Sequence, residues 1–229
     1  EYFTETTRTL QAEGGTRDHQ LRIDQAITKG EYPYQYIVVD SFPSSQALLM
    51  AHEETREIRK ASLQEVYAIL VKPDNMTTMV TVALGKFRSL FARVVNTKEV
   101  KDPQSLSDQL DPDMDPDLEQ IKHFRQSDHD QPFYMVNLNQ FSPGGKKTYK
   151  QYSLLITPYL ISVGGYPVIF GSILGNYIGD EKSGLFNKWS EFGLVYYPSR
   201  INFLRMMTNT PQTAAKIRRS GLKKAVLMV

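Results

Sequence analysis

The sequence predicts an α+β protein in which one structural unit occurs twice in the same chain. Residues 132–229 read as strand, helix, strand, strand, helix and strand, and landmarks of that unit recur in residues 1–75. The connecting segment, 76–131, becomes acidic and rich in Asp-Pro steps. A chain of 229 residues with 41% hydrophobic residues is long enough for two small domains that each bury a core.

The second unit is predicted element by element from hydrophobic period and turn residues. The predicted elements are a strand over 133–141, a helix over 149–162, strands over 166–177 and 188–197, a helix from the N-cap Ser199 to about Arg219, and a strand over 223–229. Gly164-Gly165 ends the first helix, because a left-handed C-cap favours glycine. This order is that of a ferredoxin-like unit.

The evidence for a repeat is that four segments match in the same order. The matched pairs are Gly14-Gly15 with Gly164-Gly165, Tyr34–Asp40 with Trp189–Val195, Phe42-Pro-Ser44 with Tyr197-Pro-Ser199, and Arg59–Leu63 with Arg218–Leu222. Four matches in register favour a duplication over chance.

The first unit lacks a strand at its front, because the residues before Gly14 suffice for one helix only. One alternative is that 77–87 supplies this strand from the other end of the unit. The other is that the position stays empty and a separate helix covers about 81–95. Between Lys98 and Gln131 the Asp-Pro steps favour turns, with a short helix near 118–124.

Composition excludes several classes of function. The net charge is +2 without a basic cluster interleaved with aromatic residues, so nucleic-acid binding is not expected. The absence of cysteine excludes disulfides and thiolate nucleophiles. The four histidines lack metal-ligand spacing, and neither an EF-hand nor a phosphate-binding loop is present. We therefore expect no metal and no cofactor.

An uncharged stretch over 151–179 is long enough to span a bilayer. Pro158, Gly164, Gly165 and Pro167 interrupt it, which favours a buried helix, a glycine turn and a buried strand. The first residues have no signal-peptide pattern. Membrane contact is therefore expected only through an anchor that would precede Glu1.

The second unit resembles a bacterial family of unknown function. The residues that carry the resemblance are Phe133-Tyr-Met-Val-Asn-Leu138, Tyr149, Tyr152, Pro158-Tyr-Leu160, Val163-Gly-Gly165, Trp189, Leu194-Val-Tyr-Tyr-Pro-Ser-Arg200, Phe203 and Met206. That family belongs to the dimeric α/β-barrel superfamily, alongside antibiotic-biosynthesis monooxygenases, EthD and NIPSNAP proteins. The resemblance covers 133–229 well and 5–72 weakly.

The resemblance implies a fold more than a reaction. It implies two ferredoxin-like units that pair their sheets into a barrel, here an intramolecular one. Some members carry an N-terminal membrane anchor, and the superfamily includes cofactor-free oxygenases. The family often has a His-Arg pair near the end of its last helix, where this chain has Ile217-Arg218. A catalytic histidine at that place would therefore be missing here.

The candidate ligand site is a set of aromatic and polar residues in the second unit. Its members are Asn137, Tyr152, Tyr159, Trp189, Glu191, Tyr196 and Arg200. Glu191 is the best acidic candidate, because it lies in an apolar strand between Trp189 and Phe192. If its side chain points inward, it must be paired or have a raised pKa. The alternatives are that it points outward, or that it bonds Arg200 or Lys150.

Two functions follow as hypotheses. The first is an α/β-barrel protein that binds an apolar small molecule, with cofactor-free chemistry as an extension, so that enzyme activity is left open. The alternative is a non-catalytic structural or interaction subunit of a cell-envelope or membrane-associated assembly, with a protein partner bound through 76–95. The bacterial cell envelope is the favoured location, with the cytoplasm as the alternative.

Overall fold

The chain contains both helices and antiparallel strands, which confirms the predicted α+β class. The computed structural model describes residues 2–30, 32–89, 99–102, 110–111, 114–126, 131–179 and 185–229. The chain divides into two units. The first comprises 1–24, 32–68 and 178–186, and the second comprises 25–31, 69–177 and 187–229.

The first unit contains a helix, a hairpin and two further helices. They are α1 (Tyr2–Ala12), β1 (Thr16–Arg22), β2 (Tyr36–Ser41), α2 (Ser45–Glu54) and α3 (Arg56–Ser62). β1 and β2 pair antiparallel from Thr16 opposite Ser41 to Arg22 opposite Tyr36. Ser44 begins α2, because its side chain accepts a hydrogen bond from the Ala47 amide at 3.1 Å.

Arg17 joins α1 to this hairpin. Its Nε and Nη2 donate to the two carboxylate oxygens of Asp40 at 2.9 and 3.1 Å. Its Nη1 donates to the carbonyl of Phe3 at 3.1 Å and to the hydroxyls of Thr6 and Thr7 at 3.2 and 2.9 Å. Since the guanidinium is planar and bonded on every side, it fixes the position of α1 as well as satisfying a half-buried carboxylate.

The second unit is built around a five-stranded sheet. Its elements are β3 (Ala68–Pro73), α4 (Asn75–Ser89), α5 (Leu118–Gln126), β4 (Phe133–Phe141), α6 (Gly145–Ser162), β5 (Tyr166–Ile178), β6 (Glu191–Tyr197), α7 (Arg200–Asn209), α8 (Gln212–Gly221) and β7 (Leu222–Met228). The strand order is β3-β5-β6-β4-β7. From β4 onward the elements follow the predicted order, except that Pro211 divides the last helix into α7 and α8.

A segment at 25–28 lies along the outer edge of β7. The amide of Val229 donates to the carbonyl of Gln25 at 2.9 Å, and the amide of Ile27 donates to the carbonyl of Leu227 at 2.8 Å. Ile27 is fully buried as a result. Residues from the first third of the chain therefore help to complete the core of the second unit.

The main core lies between the sheet and helices α5 and α7. Ile121 and Phe124 on α5 are fully buried, and the Phe124 ring meets those of Phe133 and Phe203 edge-on at 5.4 and 5.6 Å. Burying a large apolar side chain contributes about 1.5–3 kcal/mol. α5 thus belongs to the core, although the acidic composition around it predicted a connecting segment.

The uncharged stretch over 151–179 forms the predicted helix, glycine turn and strand, but the prediction that both are buried is wrong, since Leu154 and Leu174 are 69% and 67% exposed. α6 ends at Ser162, Gly164 has a positive φ of 78°, and β5 begins at Tyr166. In the described part of the chain, no helix is long and apolar enough to cross a membrane.

The prediction that 77–87 forms a strand is wrong, because these residues lie in α4. Their apolar residues fit both the two-residue period of a strand and the 3.6-residue period of a helix. Close packing of Gly85 against the start of β5 favours the helix. A Cβ at Gly85 would lie 2.2 Å from the Tyr166 Cβ, so the glycine lets α4 approach the start of β5. The rival prediction, a helix over 81–95, agrees with α4 as far as Ser89, and its remainder lies outside the described residues.

A closed barrel is also absent from the described strands, which form two separate antiparallel sheets. The physical reason is that the segment expected to provide an additional strand is helical. Strands β1 and β2 themselves form a sheet of two strands.

We expect Arg17→Lys to weaken the first unit selectively. A lysine cannot bond both oxygens of Asp40 and α1 at once, so the local free energy of opening should fall by about 2–3 kcal/mol. Native-state hydrogen exchange should show faster exchange for amides of β1 and β2, with β4 and β6 unchanged.

The matched control is Arg56→Lys, because Arg56 makes an exposed bond to Glu53 at 3.1 Å. An exposed pair of this kind contributes little. Equal protection of β1 in Arg17→Lys and in the unaltered protein would contradict the role given to Arg17.

Candidate functional site

A carboxyl group lies inside the second unit where four strands align. Register places Ser172, Glu191, Asn139 and Ala225 opposite one another on β5, β6, β4 and β7. Glu191 and Asn139 are 8% and 1% exposed. Since directly opposed residues of an antiparallel sheet point to the same face, the carboxyl and the amide are neighbours. Asn139 Nδ2 donates to Glu191 Oε1 at 3.2 Å.

Helix α6 supplies Tyr149, which together with Glu191 and Asn139 forms a buried polar cluster. Asn139 Nδ2 also donates to the phenol oxygen of Tyr149 at 2.9 Å. The position of Tyr149 depends on two glycines. A Cβ at Gly145 would lie 2.1 Å from the carbonyl oxygen of Gly221, so only glycine at 145 lets the start of α6 approach the end of α8. Burial raises the pKa of Tyr149, so its hydroxyl stays protonated.

Glu191 is a buried acid without a cationic partner. Among the described residues it forms no ion pair, and Asn139 provides its one hydrogen bond. Burial raises the pKa of Glu191 from 4.5 to about 7, and the bond from Asn139 and the charge of Lys146 oppose the shift. A carboxyl that titrates near neutrality can donate or accept a proton at working pH.

Asn139 contributes an unpaired acceptor. Its Oδ1 is buried and has no hydrogen-bond partner in the described part of the chain. Leaving a buried polar atom unpaired costs about 1–3 kcal/mol, so such an atom in a folded protein calls for a reason. A ligand that donates a hydrogen bond to Oδ1 would remove this cost.

A buried ion pair between Arg218 and Asp115 lies near Tyr152, next to the cluster. Arg218 Nη1 is 2.6 Å from Asp115 Oδ1, and the two side chains are 10% and 9% exposed. The other oxygen of Asp115 accepts from the Asp111 amide at 3.0 Å and lies 3.8 Å from Arg219. Burial raises the pKa of Tyr152, while Arg218 opposes the shift. Because Asp115 precedes α5 and Arg218 lies near the end of α8, the ion pair links these two segments.

The structure divides the sequence-predicted site residues among several places. Glu191 and Tyr152 lie in or beside the cluster, because the ring of Tyr152 is 5.3 Å from that of Tyr149. Trp189 is buried before β6, and Lys224 Nζ lies 5.9 Å from its ring centroid. Tyr159 is half-buried ten residues after Tyr149 on α6, or about 15 Å farther along the helix.

The remaining predicted residues do not reach Glu191. Asn137 donates to the carbonyl of Met135 in its own strand at 3.2 Å. The ring of Tyr196 packs against that of Tyr166 at 4.9 Å, on the sheet face opposite to Glu191. Arg200 stacks over Phe124 at 4.5 Å and donates to its carbonyl at 3.3 Å. The expected bonds from Arg200 or Lys150 to Glu191 are not formed.

Three residues of the site, Asn139, Tyr149 and Asp115, are not among the residues predicted for it. Asn139 shares a strand face with Asn137, and its place in a strand that is otherwise mainly apolar was the available signal. Tyr149 appeared only among the residues of the resemblance. Asp115 could not be recognised from the residues around it, because its partner Arg218 lies 103 residues away in the sequence. No group of three or more metal-ligating side chains occurs in the described ranges.

We expect Asp115→Asn to destabilise the second unit by about 3–5 kcal/mol, because it leaves the Arg218 guanidinium buried without a counter-charge. The free energy of unfolding can be followed in urea through the single tryptophan, Trp189, which is 6% exposed. Glu119→Gln, which removes an exposed bond to Lys122 at 2.6 Å, is the control.

A second variant separates charge pairing from packing. Asp115→Leu combined with Arg218→Met should recover most of the lost stability, since a buried pair replaced by apolar groups is often neutral. If the double variant were no more stable than Asp115→Asn, the pairing explanation would be wrong.

The titration of Glu191 gives a prediction with a definite sign. Below pH 4.5 the carboxyl is protonated in both folded and unfolded chains. Between pH 4.5 and about 7 only the unfolded chain loses the proton, so the free energy of unfolding falls as pH rises and then levels off. The fall is of order 3 kcal/mol by the linkage relation.

Glu191→Gln removes this titration. Relative to the unaltered protein, its free energy of unfolding should therefore rise between pH 4.5 and 8, measured by urea unfolding at each pH. Glu57→Gln, at a side chain that is 84% exposed, should track the unaltered protein. A pH-independent difference for Glu191→Gln would show that Glu191 has an ordinary pKa.

Comparisons with known proteins return few matches. No protein-family model matches the chain, and no curated protein matches it. A protein of unknown function from Rhodopseudomonas palustris, RPA0582, is 26% identical, with a TM-score of 0.44 over 50% of this chain and 92% of its own. The methylated form of RPA0582 is 25% identical, with a TM-score of 0.44 over 50% and 90%. Similarity at this level supports no inference about this chain.

Proposed function

We propose that the protein binds a small molecule at the Glu191–Asn139–Tyr149 cluster and transfers a proton to or from it without a cofactor. The observation that carries the proposal is the buried, unpaired carboxyl with a pKa of about 7. Structural carboxylates are normally paired with a cation or exposed. A carboxyl kept neutral by burial is typical of a general acid.

The hydrogen bonds of the cluster suggest which ligand it accepts. In the protonated form of Glu191, Oε1 keeps its bond from Asn139, so the proton is on Oε2. No hydrogen bond to Oε2 occurs among the described residues. Asn139 Oδ1 offers an acceptor. A compound with an acceptor oxygen and a nearby donor, such as a hydroxyketone or a phenol with a carbonyl substituent, would satisfy both groups.

The reaction class follows from the same two groups. The acid proton of Glu191 moves to the ligand oxygen and leaves the carboxylate, which then takes a proton from the ligand carbon beside it. The net change is a keto–enol shift, with no oxidant or reductant. The rings of Phe141 and Tyr152 pack against that of Tyr149 at 5.4 and 5.3 Å, and these aromatic surroundings favour an apolar ligand body.

The finer fold, two ferredoxin-like copies in one chain, is supported by local geometry that repeats. After the first helix of each copy, φ is 75° at Gly14 and 78° at Gly164. In both turns the next amide, at Gly15 or Gly165, donates to the carbonyl five residues earlier at 2.9 Å. The counterparts are 150 residues apart in both pairs.

Strand pairing repeats as well. The Ile23 amide donates to the Gln35 carbonyl at 2.9 Å, and the Ile173 amide donates to the Ser190 carbonyl at 3.0 Å. The helix that follows is capped by Ser44 in one copy and by Ser199 in the other, at 3.1 and 3.2 Å. These equivalent bonds support a duplication, because unrelated folds would not share register and caps together.

The last strand of each copy also has a similar neighbour. β3 pairs with β5, where the Asp74 amide donates to the Phe170 carbonyl at 2.8 Å. β7 pairs with 25–28, the continuation of β1 along the chain. Residues 133–229 resemble members of the dimeric α/β-barrel superfamily. That superfamily would require such reciprocal pairing between two copies. We propose that relation on this ground.

Ligand binding is tested by thermal unfolding with salicylaldehyde, 2-hydroxyacetophenone, acetophenone and naphthalene. We expect the first two to raise the melting temperature, because a ligand at 100 times its Kd stabilises by about 2.7 kcal/mol. The shift should shrink above pH 7, where Glu191 loses its proton. In Glu191→Gln the shift should not depend on pH.

Glu57→Gln is the control and should retain the pH-dependent shift. Two results would count against the proposal: no shift with any compound at millimolar concentration, or shifts that Glu191→Gln leaves unchanged at every pH. Deuterium uptake at the carbon beside the carbonyl of 2-hydroxyacetophenone would measure the proton transfer itself.

A non-catalytic interaction subunit is the second candidate, favoured by exposed apolar residues on α4. Met79 and Phe87 are each 69% exposed. These residues lie within 76–95, the segment predicted to contact a protein partner. A clean monomer by size-exclusion chromatography, with no retention on a column of the protein itself, would exclude self-assembly through this helix.

A further inference from the structure

Two neighbouring helices of the second unit carry positive charge only. α4 and α6 are in contact, and neither contains aspartate or glutamate. Their basic residues with described side chains are Lys86 on α4 and Lys146, Lys147 and Lys150 on α6. The whole chain has 25 acidic and 27 basic residues. The one-sided charge is therefore a local property of these helices and not of the composition.

The same two helices expose large apolar side chains. Those on α4 are Met79, Val80, Leu84 and Phe87, with exposures of 69%, 52%, 53% and 69%, and those on α6 are Leu154 and Leu155, with 69% and 46%. Single apolar residues on a surface are ordinary. Six on two adjacent helices exceed what a water-facing surface needs and indicate a binding function.

We propose that this basic-apolar surface, formed by α4 and α6, rests on an anionic lipid bilayer. Charge complementarity selects an anionic partner, and each lysine near such a surface contributes about 1 kcal/mol. Leucine, methionine and phenylalanine side chains enter the boundary between head groups and acyl chains, while lysine stems reach toward the phosphates. The contact is peripheral and independent of the chemistry at Glu191.

The shape of the surface favours lipid over an acidic protein. The depression on α4 is shallow and is lined by Asn75, Met79, Val82, Ala83 and Lys86. A partner helix needs an apolar groove, and the centres of protein interfaces are poor in lysine. A bilayer needs no groove and favours lysines beside exposed apolar side chains.

The test is co-sedimentation of the whole chain with vesicles of phosphatidylcholine alone or with about 30% phosphatidylserine, at low ionic strength and at about 0.5 M salt. We expect binding to the anionic vesicles at low salt, at least about tenfold less at high salt, and little binding to phosphatidylcholine alone.

Matched variants locate the contact. Leu84→Glu combined with Leu154→Glu should lower the bound fraction at least about tenfold, since it removes apolar contact and adds negative charge. The control is Leu49→Glu combined with Leu174→Glu, at leucines that are 58% and 67% exposed on α2 and β5. It should bind as the unaltered protein does. Thermal unfolding of both variants checks that each is folded.

Three outcomes would overturn the proposal. They are no binding to the anionic vesicles, equal loss of binding in the test and control variants, and binding of a soluble poly-glutamate peptide in place of the vesicles. The last outcome would identify the surface as one for acidic proteins.

Discussion

The close approach of Gly145 to Gly221 is the constraint on which the candidate site depends. A side chain at 145 would overlap the Gly221 carbonyl, so α6 can begin beside the end of α8 only because both residues are glycine. That approach places Tyr149 under the sheet, where Asn139 reaches it. It also leaves Arg218, three residues before Gly221, beside Tyr152 and Asp115. The polar interior of the second unit is thus a consequence of backbone packing.

The two buried ionisable groups of this interior, Arg218 and Glu191, have different partners. Arg218 has a carboxylate at 2.6 Å and contributes to holding the segment before α5. Glu191 has an amide at 3.2 Å and no cation within ion-pair distance among the described residues. The Arg218–Asp115 pair stabilises the fold only while both partners are present. The buried Glu191 carboxyl lowers the free energy of unfolding at neutral pH. A cost of that kind persists at functional sites, where the perturbed group is useful.

The elements that depend on local signals could be predicted from the sequence. The helix ended by Gly164, the strand that follows it and the cap at Ser199 come from neighbouring residues, and the structure has them. α4 was left between two alternatives, because its apolar residues fit both a strand period and a helix period. The approach of Gly85 to Tyr166 decides for the helix, and that contact joins residues far apart in sequence.

The site was predicted only in part for the same reason. Glu191 was recognised because an acid inside an apolar strand is a local anomaly. Its partners depend on strand register and on the packing of α6, which no residue near Glu191 specifies. Tyr196 and Arg200 were aromatic and basic residues at suitable spacing, but strand alternation and the stacking on Phe124 direct them elsewhere.

The proposed duplication has a consequence for the number of sites. With the matched strands superposed, the counterpart of Glu191 is Tyr36, which is 47% exposed. Tyr152 and Arg218 correspond to Tyr2 and Arg59, and Arg59 likewise lowers the pKa of Tyr2 against the effect of burial. In the proposed duplication this tyrosine and this arginine therefore occur in both copies, which suits a structural role. The buried acid has no such counterpart, so the proton transfer that we propose would belong to the second of the two proposed copies alone.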